Sequence, residues 1–359
     1  MKEKDSALRV RPGSRIPQPP DAAATKRRSR KPLSCQQYTE GILRGDRIVL
    51  AQAITLVEST LPGDEARALD ILDQVLPHTG DSTRVGITGP PGAGKSSVIE
   101  VLGMHLIRDR GEKVAVLAVD PSSQVSGGSI LGDKTRMETL ATHDMAFIRP
   151  SPSRGSLGGV ARRTRESMLL CEAAGFRNII VETVGVGQSE TAVRSMVDFF
   201  LLLMIAGAGD ELQGMKRGVM EMADLIAINK ADGSNLAPAQ QARAQAENAL
   251  HFFPPQPTGW TPRAVTCSAA TVLGIKEVWE TVLEHSALLQ SNGWFSRVRR
   301  QQVKRWMYEI IEQGLSRNFR SHAVIREQLA QVEQEVFEGR TTPFRAANRL
   351  LEIYTLKNS

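Results

Sequence analysis

Gly89-Pro90-Pro91-Gly92-Ala93-Gly94-Lys95-Ser96 matches G-x-x-x-x-G-K-[ST] at every fixed position, and this stretch decides the fold. It follows the apolar run Arg84–Thr88 and opens an amphipathic helix, the strand–loop–helix context that separates a phosphate loop from a chance glycine-rich turn. Glycines let such a loop curl until successive backbone N–H groups point at phosphate oxygens, with the N-terminal dipole of the helix behind them. Lys95 can bridge β- and γ-phosphates as a point charge, Ser96 can offer a hydroxyl to Mg²⁺, and Ser97 is grouped with the loop.

Outward from this loop the chain alternates. Short apolar runs at Arg84–Thr88, Val114–Val119, Asn178–Glu182, Phe199–Ile205, Leu225–Asn229 and Ala264–Ser268 are separated by helical stretches. That rhythm predicts βαβ units in a doubly wound, mostly parallel α/β sheet over residues 81–290. Residues 34–80 read as a helical segment: Ile42, Leu43, Ile48, Leu50, Ile54, Leu56 and Val57 recur at helical spacing, Ser34 is the expected N-cap, and a turn at Leu61-Pro62-Gly63-Asp64 precedes a second amphipathic helix. Residues 291–359 read as charge-laced helices with breaks expected near Gly314 and at Thr341-Thr342-Pro343. Residues 1–33, rich in Pro, Arg and Ala, are expected to form a disordered basic tail.

Two further loops read the base. Asn229-Lys230-Ala231-Asp232 follows an apolar run downstream of the phosphate loop. Alone, N-K-x-D is an ordinary surface turn; behind a strand in a phosphate-loop protein it selects guanine. The Asp232 carboxylate can accept from N1–H and the 2-amino group, donors that adenine lacks at both places. Lys230 can lie along the ring and Asn229 can brace the neighbouring loop. Cys267-Ser268-Ala269-Ala270 completes the pocket, with an N–H near Ala269 placed to meet the guanine O6.

The sensing side is expected around Glu182-Thr183-Val184-Gly185, where an acid ending a buried strand precedes a glycine by three positions. Glu182 stands where Asp is usual in GTPases, reaching Mg²⁺ directly or through water, and the Gly185 N–H would contact the γ-phosphate. Asp120, at the end of Val114–Val119, and Asp133, in a glycine-rich stretch, are further candidates for Mg²⁺ or its waters. Val186 occupies the place where many small GTPases carry a water-positioning Gln, and Gln188 is displaced by two, so slow intrinsic hydrolysis is expected.

Composition excludes several classes. The formal net charge is +6, but residues 1–35 hold ten Lys or Arg against three acids, a local +7 that leaves −1 for the rest. No basic face for nucleic acid is therefore expected on the body. Cys35, Cys171 and Cys267 are too few and scattered for a disulfide framework or a cysteine zinc site. The longest apolar run, Phe199–Ala206, has eight residues against the roughly 20 that span a bilayer. With no apolar signal stretch at the N-terminus, a cytoplasmic location and no membrane contact are expected.

With these pieces assembled, the chain resembles the MeaB/ArgK family of P-loop GTPases. The resemblance rests on Val119-Asp120-Pro121-Ser122-Ser123, Gly127–Met137, Ser151–Gly159 and Glu182–Glu190, and extends over about residues 36–350. It implies a sheet of the signal-recognition and nickel-insertion GTPase class, flanked by an N-terminal helical segment and a C-terminal helical arm that mediates homodimerisation. It also implies GTP/GDP and Mg²⁺ as ligands, and a cobalamin-dependent acyl-CoA mutase of the methylmalonyl-CoA mutase type as partner. On that partner, GTP would gate adenosylcobalamin loading and protect or reactivate the enzyme. A further mobile loop of the family maps onto residues 210–218, with Gln213 and Lys216 at the positions that would engage the nucleotide or the other switch loops. Two other readings differ in chemistry. A P-loop kinase linked to arginine/ornithine transport would share Gly89–Ser96 but has less use for guanine selection. A nickel-insertion GTPase needs clustered His and Cys, whereas the six His here are well separated.

Overall fold

β1 (Thr83–Thr88) is an inner strand of a seven-stranded sheet in the computed structural model, which describes residues 33–119, 137–150, 157–183, 189–207 and 217–356. The other strands are β2 (Val114–Val119), β3 (Ala146–Arg149), β4 (Asn178–Thr183), β5 (Phe199–Ile205), β6 (Leu225–Asn229) and β7 (Arg263–Thr266), in the order β3-β2-β4-β1-β5-β6-β7. Every ladder is parallel, with Val85 opposite both Ile180 of β4 and Phe199 of β5. The chain winds outward from β1 to β2 and β3, returns to β4, then crosses to β5, β6 and β7. This is the doubly wound parallel sheet that the alternation of apolar runs and helical stretches predicts. Its strands read as unbroken aliphatic runs because both faces are covered: β2, β4 and β6 are buried at every position.

Sequence reading missed β3. It is a four-residue edge strand, Ala-Phe-Ile-Arg, that pairs only with β2 and stops before Pro150, so no run long enough to register precedes the break.

Helices α4 (Lys95–Arg110) and α10 (Ile275–Ser291) cover one face, burying Val98, Ile99, Leu102, Val278, Trp279 and Val282 against Val85, Ile87, Ile180, Leu201 and Leu203. A second cluster joins α8 (Arg217–Met222) and α9 (Leu236–Leu250) to Leu202, Met204, Ile226 and Ile228. Two shorter helices, α5 (Glu138–Thr142) and α7 (Ser189–Arg194), and the longer α6 (Leu157–Ala173) complete the connections.

Before the sheet lie α1 (Cys35–Leu43), α2 (Arg47–Glu58) and α3 (Pro62–Val75). The first expected helix is thus two. Gly45 takes φ +75° and the Asp46 carboxylate then caps the next helix, accepting from Ile48 N at 2.9 Å and Val49 N at 3.2 Å.

Beyond the sheet come α11 (Trp294–Ser321), α12 (Ala323–Phe337) and α13 (Pro343–Leu356). The break expected at Gly314 is absent: α11 runs through it for 28 residues and ends at His322. One helical glycine costs about 1 kcal/mol relative to alanine, too little to interrupt a docked helix. The docking is polar. Arg299 holds Asp198 from Nε at 2.8 Å and Nη2 at 2.7 Å, Gln302 Nε2 donates to Val197 O at 2.8 Å, and the Arg165 guanidinium of α6 pairs with Glu309 while donating to Ser195 Oγ at 2.6 Å. On its outer side α11 carries Val303, Met307, Ile311 and Leu315 at four-residue spacing, each 46–61% exposed. The α12–α13 hairpin closes on Ile325, Val332, Ala346 and Leu350. Among the described residues no helix is long and apolar enough to cross a membrane.

Candidate nucleotide site

At the end of β1 the chain turns sharply enough to require glycine. Gly89 takes φ +153°, and a Cβ there would lie 2.3 Å from Leu203 O. Gly94 takes φ +84°, and a Cβ there would lie 2.6 Å from Asn229 Nδ2. The loop from Gly89 through Pro90, Pro91, Gly92 and Ala93 is thus pressed against β5 and β6, and α4 starts at Lys95 with its N-terminus facing the cleft. Lys95 Nζ donates to Gly89 O at 2.7 Å and Pro90 O at 3.2 Å, so the ammonium sits on the rim of the loop. Ser97 continues the first turn of α4.

Ser96 Oγ donates to Glu182 Oε1 at 3.2 Å, and both residues are buried where β4 meets the loop. Two hard oxygen donors side by side at the mouth of a phosphate loop fit Mg²⁺, which takes one or two protein oxygens and fills its octahedron with water and phosphate. Among the described residues no group of three or more His, Cys, Asp or Glu could hold a metal ion.

The base side forms where β6 and β7 end. Asn229 Nδ2 donates to Ala93 O at 2.8 Å, and its Oδ1 accepts from Ala269 N at 3.3 Å and from Cys267 Sγ at 3.8 Å. One buried side chain therefore ties the phosphate loop to both base loops. Lys230 is exposed with φ +61°, a conformation costing about 1–3 kcal/mol at a non-glycine residue; its carbonyl accepts from Asn235 Nδ2 at 2.7 Å and the next amide, Ala231 N, donates to Cys267 O at 3.0 Å. The Ser268 hydroxyl donates to Asp232 Oδ2 and accepts from Thr271 N at 3.2 Å. With one oxygen fixed by Ser268, the Asp232 carboxylate is oriented before a ligand arrives. The Ala269 N–H is engaged by Asn229; that of Ala270, the next along, donates to nothing among the described residues and is the amide at hand for a ligand carbonyl.

The structure thus gathers Gly89–Ser97, Glu182, Asn229, Lys230, Asp232, Ser268, Ala269 and Ala270 at the carboxyl edge of β1, β4, β6 and β7, where open α/β sheets take their ligands. Asp120, Asp133, Gly185, Gln188 and Lys216 lie outside the described residues. Motif reading passed over Thr88 and Thr183, whose hydroxyls meet at 2.7 Å beside this site. Their signal was faint: one threonine ending each of two aliphatic runs.

The opposite edge of the sheet is pinned by buried ion pairs. The Arg194 guanidinium grips both Asp224 oxygens, at 2.7 and 3.2 Å, and Asp224 Oδ2 also accepts from Phe200 N at 2.9 Å. Burial pushes the neighbouring His285 imidazole below the ordinary histidine range, although Asp224 pulls it back. Burial by itself would raise Glu172, but Arg84, Ser82 and the Gly80 amide together hold it below the usual carboxylate range.

The family profile described as "Methylmalonyl Co-A mutase-associated GTPase MeaB" matches residues 50–323. GTPase ArgK of Escherichia coli is 54% identical over 270 residues, covering 75% of this chain and 81% of that protein. The mitochondrial methylmalonic aciduria type A homolog of Mus musculus is 44% identical over 327 residues, covering 88% of this chain and 78% of its own. A crystal structure titled "LAO/AO transport system kinase" superposes with a TM-score of 0.72 at 40% identity, covering 89% of this chain and 97% of that one.

Proposed function

Because this chain belongs to the MeaB family of methylmalonyl-CoA mutase-associated GTPases, and so binds guanine nucleotide and hydrolyses GTP, we propose that it is a chaperone of a cobalamin-dependent acyl-CoA mutase. In this reading GTP binding and hydrolysis gate the loading of adenosylcobalamin into the mutase and protect or reactivate it. The observation that carries it is the family match at residues 50–323, which spans the whole nucleotide site.

The chain's own residues supply the following. Amides of Gly92–Ser96 at the α4 N-terminus bind the phosphates, and Lys95 swings from the Gly89 and Pro90 carbonyls onto β- and γ-oxygens. Asp232, set by Ser268, reads guanine, and Asn229 keeps base and phosphate loops in register. Ser96 and Glu182 would hold Mg²⁺, which neutralises charge developing on the phosphates when bound. Gly185, Gln188, Lys216, Asp120 and Asp133 are assigned to sensing, hydrolysis and metal by motif alone, and Val186 in the usual glutamine position supports slow turnover without a partner.

Residues 81–290 are the nucleotide domain in this reading, 34–80 a helical support, and 291–359 a dimerisation arm. The exposed ridge Val303, Met307, Ile311 and Leu315 supports a homodimer through α11, since four aligned apolar side chains would otherwise face water. A cytoplasmic site of action and the absence of nucleic-acid or membrane partners complete the proposal.

The test is to mix the purified protein with acyl-CoA mutases and follow GTP turnover and cofactor loading. Faster hydrolysis and nucleotide-dependent loading are expected with the cognate mutase; no effect with any of them would refute the role. Transfer of labelled phosphate from GTP to a protein or amino acid in place of water would favour the transport-kinase reading.

A further inference from the structure

Thr88 and Thr183 are each 0% exposed, and Thr183 Oγ1 donates to Thr88 Oγ1 at 2.7 Å. The β1–β4 ladder ends one residue earlier, at Ile87 opposite Glu182. From there Thr88 pairs with Leu202 of β5 and Thr183 with Val119 of β2. The hydroxyl bridge therefore joins the two strands where the backbone ladder between them has stopped. Valine would fill the same volume, and Val181, which by strand alternation shares the face of Thr183 on β4, is 0% exposed. Buried hydroxyls are unfavourable unless bonded, so packing alone gives no reason for two of them here.

What the bridge joins is the machinery on either side. Thr88 leads into Gly89, whose carbonyl receives Lys95 Nζ. Thr183 follows Glu182, whose carboxylate receives Ser96 Oγ at 3.2 Å. Because side chains alternate along a strand, Glu182 faces α4 and the bridge lies on the other face. There Gly86 is closed over, with Val193 Cγ1 2.8 Å from where its Cβ would stand. From that face the bridge acts on Ser96 and Glu182 through the backbone.

We propose that the Thr88–Thr183 bridge is a positioning pair that sets the separation of the Ser96 hydroxyl and the Glu182 carboxylate, and thereby how tightly the divalent cation of the bound nucleotide is held. This rests on reading the site as one for a magnesium–guanine nucleotide. The grip on the cation is tuned apart from the grip on the phosphates, which comes from loop amides and Lys95.

The test follows release of a fluorescent GDP by stopped flow, across a Mg²⁺ titration and in EDTA, for the full-length wild type, T88V, T183V, T183S and the double variant T88V/T183V. Both single valine variants are expected to need about five- to tenfold more Mg²⁺ for half-maximal slowing of release, the factor one hydrogen bond is worth. Release in EDTA should stay within about twofold of wild type, T183S should titrate like wild type, and the double variant should be no worse than either single one. Valine variants that titrate like wild type, or that speed release equally with and without Mg²⁺, would overturn the proposal. A wild type whose release ignores Mg²⁺ would instead remove the underlying reading of the site, and the inference with it.

Discussion

Replacing Asn229 by alanine removes one side chain that three loops share. The carboxamide donates to Ala93 O at 2.8 Å and accepts from Ala269 N at 3.3 Å and Cys267 Sγ at 3.8 Å, with the residue 2% exposed. Each neutral hydrogen bond is worth about 1 kcal/mol net, and a buried carbonyl and amide left without partners add to the loss, so about 2–4 kcal/mol disappears. The clamp is present without nucleotide, so part of this appears as lower stability of the nucleotide-free protein. The remainder appears as weaker binding, because loops no longer held in register must be ordered by the ligand. Thermal denaturation should show a Tm lower by several degrees. Displacement of a fluorescent nucleotide should show at least a tenfold weaker Kd for GDP and GTP alike, since the clamp touches the loops common to both. An Asn229→Ala protein that melts with wild type and binds GDP within about threefold of it would refute the reasoning.

Three other outcomes follow from the supporting structure. Arg299→Met takes from Asp198, a 7% exposed carboxylate, its bonds from Nε and Nη2 and leaves it the Arg84 amide, and should cost about 3 kcal/mol in urea denaturation; Arg177→Met, which removes a surface pair with Asp81, should cost less than about 1 kcal/mol. Equal effects would contradict the assignment of burial as the cause. Because burial lowers the His285 pKa, the unfolded chain takes up the proton more readily. Stability is therefore held above about pH 6.5 and falls as pH drops below it, and His285→Gln should flatten that acid-side fall; an unchanged pH profile would count against it. Burial pushes the Cys267 thiol up to about 12 and raises Cys171 as well, so iodoacetamide at neutral pH should label the half-exposed Cys35 and spare both in the native protein, as peptide mapping would show.

The parts of the site that were legible in the sequence are those where backbone geometry or ligand chemistry tolerates one residue type. Gly89 and Gly94 leave no room for a Cβ, and the loops ending β6 and β7 carry short motifs whose order along the chain restricts their meaning. The inner strands were legible because burial on both faces demands aliphatic runs. What escaped was decided by neighbours in space. β3 is four residues long and is a strand only because β2 lies beside it. The division between α1 and α2 depends on the positive φ of Gly45 and a cap from Asp46, and helical spacing continues across both. Gly314 resembled a helix end, yet the long α11 carries it. Thr88 and Thr183 are 95 positions apart, and no local pattern pairs them. The bond from the Ala269 amide to Asn229 Oδ1 joins residues 40 positions apart, and no local pattern pairs them.

The most direct measurement is calorimetric titration of the purified, nucleotide-free protein with GTP and with ATP in the presence of Mg²⁺. A carboxylate fixed by Ser268 and left partly unpaired by adenine should favour GTP by at least about 100-fold. Comparable affinity for the two nucleotides, or tighter binding of ATP, would contradict the assignment of Asp232 and of the guanine pocket built around it.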